Sequence, residues 1–361
     1  MQMSRLGDLT IVIPSFGRQD FLTRQISYWS ASEVNLLILD GSERAMPLGS
    51  LPSRVNYVHM PTDFFQRMQA AADCVTTPYV ALLGDDDLYL PSGLEACIEH
   101  LERERRDVGA VGRAMYFFEQ EGQVFVSEKN PESSNYPPTV MTGLDRLRDY
   151  YHPGKIGAIA YGVFRATSWK DAIRATYASR YSCGYVYDTF LRTTLTYAGN
   201  VSVVESVTWL CSGENPPIVD SSSFNRKLDL IDWLIDEKWS TERAHFKASL
   251  VDALLASGAD SRAEIERAVG EILRVLTERY TEKLKVRTSA KVKLKQVVVR
   301  IMPRSVKRLA KRVLPRKLKG SFGWQGASVS AVAEALRSRG ISSDSSELKT
   351  FERLVLEFHQ P

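Results

Sequence analysis

Three consecutive carboxylates, Asp85, Asp86 and Asp87, follow the apolar run at 79–83. A short apolar run of this kind predicts a buried strand. Adjacent carboxylates repel one another, and a hard divalent cation offsets that repulsion by taking oxygen ligands. In open α/β sheets, ligands sit outside the carboxyl ends of strands. The triplet therefore reads as a metal site with a phosphate behind it. The competing reading is a solvated acidic turn in which Asp87 or Ser92 caps the next helix. Other residues able to do chemistry also follow strand-like runs: Pro14, Ser15 and Arg18 after the first, Asp40-Gly41-Ser42 after the second. Asp188 and Arg192 open a later helical stretch.

The elements that must position these residues alternate. Runs at 9–14, 34–39, 55–60 and 79–83 are apolar and strand-like; 18–30, 62–74 and 91–105 have helical spacing or a proline at a favoured first-turn position. This βαβα order predicts an α/β fold with a parallel sheet and helices on both faces. Strands resume over 108–126, and 131–138 reads as an exposed loop rich in Ser and Pro. From about residue 224 the apolar spacing is helical almost throughout. The run Asp344-Ser-Ser-Glu347 has the form of a capped helix start. The boundaries expected are 1–223 for an α/β domain and 224–361 for an all-helical region, in line with about 150 residues per domain.

Hydrophobic content of 44% and charged content of 25% are ordinary for a soluble globular chain. No run approaches the roughly 18 apolar residues of a membrane span, and residues 1–8 lack a signal peptide. Cys74, Cys97, Cys183 and Cys211 are scattered, which suggests reduced thiols in a cytoplasmic protein. The net charge of +4 is uneven: 283–319 holds 15 Lys/Arg and no Asp or Glu, leaving the rest of the chain at −11. Within this arm, 294–302 and 306–314 have apolar residues at helical spacing, split by Pro303. A solvated face, a membrane surface and a nucleic acid are the three readings of such a run. The apolar faces favour an anionic membrane surface. The lack of aromatics argues against nucleic acid.

The order of these motifs, over roughly residues 8 to 212, resembles glycosyltransferase family 2, the inverting, nucleotide-sugar-dependent enzymes of the GT-A fold. Ile11-Val-Ile-Pro-Ser15 is similar to the family's opening strand, Leu39-Asp-Gly-Ser42 to its "VDDGS", the triplet to its DxD, and 187–192 with Gly199 to its "ED…R…G". The resemblance implies a mostly parallel sheet with flanking helices, followed here by the helical region. It implies that Pro14 and Ser15 lie near a base, that Asp40 accepts from a uracil or thymine imide, and that Asp85 meets the ribose. Asp86 and Asp87 would hold Mg²⁺ or Mn²⁺. Gly84 stands where many members have the first Asp of DxD, so Asp85 with Asp87 is the other register. Arg18, Arg67 and Arg192 are candidate phosphate contacts, each set against an ordinary structural role. Asp188 would be the general base of an inverting transfer, set against a helix cap or a pair with Arg192. Tyr187 stands where the family has Glu. No well-placed histidine stands just after Val207 to complete a metal site, and Glu214 is only a speculative substitute in that region. The function implied is metal-dependent sugar transfer to a polysaccharide or lipid-linked glycan, by a cytoplasmic enzyme peripheral to the inner face of the cell membrane, with no nucleic-acid partner. The alternatives are a nucleotidyltransferase and a decayed membrane-associated module.

Overall fold

The computed structural model describes residues 4–47, 49–129, 142–152, 159–214, 228–288 and 326–360. The first four strands are β1 (Leu9–Ser15), β2 (Asn35–Asp40), β3 (Val55–His59) and β4 (Tyr79–Leu82). They pair in parallel in the order β3-β2-β1-β4. Crossovers by α1 (Gln19–Trp29) and α2 (Phe64–Cys74) make that possible, since parallel neighbours need a long connection. Ile11, Val12, Ile13, Leu37, Ile38 and Leu39 are buried on both faces, which is why these strands read as unbroken apolar runs.

Beyond β4 the sheet changes hand. After β5 (Leu88–Tyr89) and α3 (Pro91–Arg103) come β6 (Asp107–Gln120) and β7 (Gln123–Lys129), then α4 (Gly143–Tyr150), β8 (Val163–Arg165), α5 (Ala166–Thr176), α6 (Tyr185–Ala198) and β9 (Asn200–Ser212). β8 is antiparallel to both β4 and β6, and β7 is antiparallel to β6. β9 runs parallel to β6 and antiparallel to β5. The expected parallel sheet thus holds for the first four strands, and the whole is mixed.

The later helices close on this sheet from two sides. α7 (Leu230–Ile235), α8 (Ser240–Ser257) and α9 (Arg262–Thr288) share a core with α4, α5 and α6 through Trp233, Phe246 and Ile265. A two-residue strand, β10 (Ala327–Ser328), adds to β7 within the region expected to be all-helical. α10 (Val329–Arg337) and α11 (Ser345–Phe358) pack Leu336, Phe351 and Val355 against Phe117 and Val126 of β6 and β7. Asp344 caps α11 through the N–H groups of Ser346 and Glu347, at 2.7 and 3.0 Å. The Glu347 carboxylate reaches across to α3 and accepts from the Ser92 N–H at 2.9 Å and the Ser92 hydroxyl at 2.6 Å. It supplies the end-cap of α3 that the competing reading of the triplet gave to Asp87 or Ser92. Most of the basic arm, from 289 on, and the 131–138 loop lie outside the described residues. Among the described residues, no helix is long and apolar enough to cross a membrane.

Candidate active site

Strand register assembles one edge of the sheet. Ser15 pairs with Asp40 across β1 and β2, and Val12 pairs with Leu82 across β1 and β4. Continuing that register three residues beyond Leu82 sets Asp85 level with Ser15, and the Ser15 hydroxyl donates to Asp85 at 2.7 Å. Asp40, Ser15 and Asp85 therefore form one row across three strand ends, where an open α/β sheet receives ligands.

Asp40 is fully buried. One carboxylate oxygen accepts from the Ser42 N–H at 2.9 Å; the other accepts from the Tyr57 hydroxyl at 2.7 Å and the Gln19 amide at 3.0 Å. Burial pushes its pKa up, but the bonds from Ser42, Tyr57 and Gln19 outweigh it and hold the carboxyl below its ordinary value. The Gly17 N–H donates to the Ser42 hydroxyl at 2.9 Å, tying the turn after β1 to the turn after β2. His59 supports the same turn through the Ser42 carbonyl, 2.8 Å away. Arg67 lies beneath it, 1% exposed, donating to the Thr62 carbonyl at 2.6 Å. A Cβ on Gly41 would lie 1.6 Å from the Arg67 guanidinium, so the glycine makes this approach possible. Arg67 thus buttresses the Asp40 turn from below.

The triplet is clamped from α1. The Gln25 amide donates to the carbonyls of Asp85 and Asp87, at 3.0 and 2.5 Å, and Arg24 donates to the carbonyl of Asp86 at 2.7 Å. Two consecutive side chains of one helix thereby hold three consecutive carbonyls. The carboxylates diverge. Arg18 sits 3.0 Å from both Asp85 and Asp86 and offsets one of their two charges. Asp87 turns inward, accepting from the Ser212 N–H at 2.7 Å and the Trp209 indole at 3.0 Å. Burial and the neighbouring Asp86 push its pKa up to about 7. Asp86 keeps 17% of its side chain exposed, against 9% for Asp85. Gly84 fits this arrangement: a Cβ there would lie 3.1 Å from the Asp87 carboxylate and 3.4 Å from that of Asp86. Among the described residues, no three His, Cys, Asp or Glu side chains group as a metal cluster. The donor set instead suits a Mg²⁺ site of the sparse kind, with one or two carboxylates and the remaining places left to water and substrate phosphate.

Asp188 lies in the first turn of α6, 46% exposed, and pairs with Arg192 one turn on. Burial works against the Arg192 charge, but Asp188 raises its pKa and keeps it a cation. Tyr187 faces the other way, stacked on Tyr177 at 5.5 Å in an aromatic cluster. The Tyr161 ring stacks on Trp209 at 3.9 Å, and the Trp209 indole donates to Asp87. Burial, and after it the charges of Asp87 and Asp188, raise the Tyr161 pKa. Glu214 does not stand free for a metal: it is 1% exposed and paired with Arg24 at 3.0 Å.

Sequence reasoning missed Gln19 and Tyr57, which hold the Asp40 carboxylate, Arg24 and Gln25, which hold the triplet's carbonyls, and Lys129, which lies 4.4 Å over the Trp209 ring. Polar residues on an amphipathic helix read as a solvated face, so α1 offered no signal.

Residues 10–167 match the model of glycosyl transferase family 2. The fold is similar to crystal structures of S. aureus TarS 1-349, at 10% identity and a TM-score of 0.50. The same protein in complex with UDP-GlcNAc matches at 11% identity and 0.51. Each alignment covers 98% of this chain and 91% of that one. No curated protein sequence matches.

Proposed function

We propose, from the match of residues 10–167 to the glycosyl transferase family 2 model, that the chain moves a sugar, with inversion, from a nucleoside-diphosphate donor to a glycan hydroxyl. The observation that carries this is the row Asp40–Ser15–Asp85 on one edge, with Asp86 beside it. Pro14 and Ser15 bring backbone to the base, Asp40 fixes the turn that receives it, and Asp85 meets the ribose. Asp86, the most open of the three, would hold Mg²⁺ or Mn²⁺. When bound, that ion neutralises the diphosphate leaving group. Asp87 supports the turn from inside.

Asp188 takes the proton of the acceptor hydroxyl as its oxygen attacks the anomeric carbon. The bond from that carbon to the diphosphate breaks, and its electron pair leaves with the nucleotide. Arg192, paired with Asp188 one helical turn on, orients it. The acceptor is a polysaccharide or lipid-linked glycan, and the basic arm 283–319 holds the enzyme at an anionic inner membrane face. The TarS complex makes UDP-GlcNAc the first donor to try.

Calorimetry with UDP, GDP and dTDP, with and without Mn²⁺, tests the donor site. Metal-dependent binding of one of them is expected, and binding of none overturns the reading. Flotation with anionic liposomes tests the arm; equal flotation of a chain lacking 283–319 removes it.

A further inference from the structure

The α1 clamp on the triplet is only as fixed as Arg24, and Arg24 is held from far along the chain. Its guanidinium lies against two rings that touch each other, 4.7 Å from the centroid of Phe21 and 4.5 Å from that of Phe358. Its Nη1 donates to both oxygens of Glu214, at 3.1 and 3.0 Å. Glu214 also accepts from the Ser212 hydroxyl at 2.9 Å and pairs with His359 Nε2 at 2.6 Å. A buried Arg–Glu pair gains from partners that meet its remaining hydrogen-bonding capacity. Here Ser212 and His359 meet that of the Glu, while Arg24 donates from Nη2 to the Asp86 carbonyl and leaves its buried Nε without a partner.

We propose that Phe358 and His359, at the end of α11, are positioning residues of the donor site. Through Glu214 and Arg24 they fix the Asp86 backbone, and with it the direction of the carboxylate that faces a bound diphosphate. The inference rests on the donor-site reading above. Partners of this kind typically change ligand affinity by about tenfold to a hundredfold when removed.

The test uses the full chain. UDP with Mn²⁺ is titrated into wild type, His359→Ala, His359→Gln and Arg353→Ala. Arg353 lies on the same helix, 69% exposed, and serves as the control. His359→Ala should bind about tenfold more weakly, and Arg353→Ala should bind like wild type. His359→Gln keeps an N–H donor and should recover most of the loss. Hydrogen exchange of the peptide spanning 84–90, measured without nucleotide, should quicken in His359→Ala only. That second readout stands even if the wild type binds no nucleotide, which would overturn the donor reading and not this one. Unchanged exchange of 84–90 in His359→Ala, or binding within twofold of wild type, overturns the proposal. So does a glutamine variant as weak as the alanine variant.

Discussion

On the sheet edge, Asp40 and Asp85 are each gripped by two or three protein groups and almost sealed from water. On α6, Asp188 pairs with Arg192 and leaves 46% of its side chain in solvent. One station is built before any ligand arrives; the other can still move. The difference suits the two jobs proposed. A nucleotide is the constant part of the donor and is best met by a preorganised surface. A general base must change protonation within each turnover and admit a bulky acceptor.

The comparison breaks most readily at Asp188. Asp188→Asn should lower kcat by about 10³-fold, the size of a lost general base, while UDP binding by calorimetry stays within twofold. A similar loss of nucleotide binding would show that the two stations are not separate. Asp86→Ala should do the reverse, weakening Mn²⁺-dependent UDP binding roughly a hundredfold with the circular-dichroism spectrum unchanged. Gly41→Ala probes rigidity at the edge. The new methyl meets the buried Arg67 guanidinium, and overpacking of this kind costs about 2 kcal/mol, readable by urea unfolding.

The smallest effect is one of pH. Hydrogen bonds hold the folded pKa of Asp40 below its unfolded value. Its contribution is therefore present above about pH 4 and lost as pH falls through the folded value. Asp40→Asn should flatten the acid limb of Tm against pH, by an amount near 1 kcal/mol. An unaltered limb would place the acid sensitivity elsewhere.

The donor edge was largely legible because its causes are local. Strands buried on both faces spell continuous apolar runs, and carboxylates at their ends stand out against that background. The mixed half of the sheet was not. β6 pairs with three other strands along its 14 residues, and its partners are fixed by contacts distant in sequence. The same holds for the supports of the site. Arg24 and Gln25 are ordinary polar residues of α1 until the triplet turn folds over them. His359 meets Glu214 from 145 residues away, a separation at which no spacing rule operates. Asp188 was legible as a candidate, and so was its pairing with Arg192.

The pairing of β10 with β7, and of Glu347 with the start of α3, bears on the order in which the protein can be made. While residues up to about 326 have left the ribosome, β7 offers an unpaired edge and α3 lacks its cap. An open edge invites pairing with another chain. The nascent α/β portion therefore passes through an interval in which it is folded enough to be sticky and not yet closed. Only the emergence of Ala327 and the two helices that follow ends that exposure.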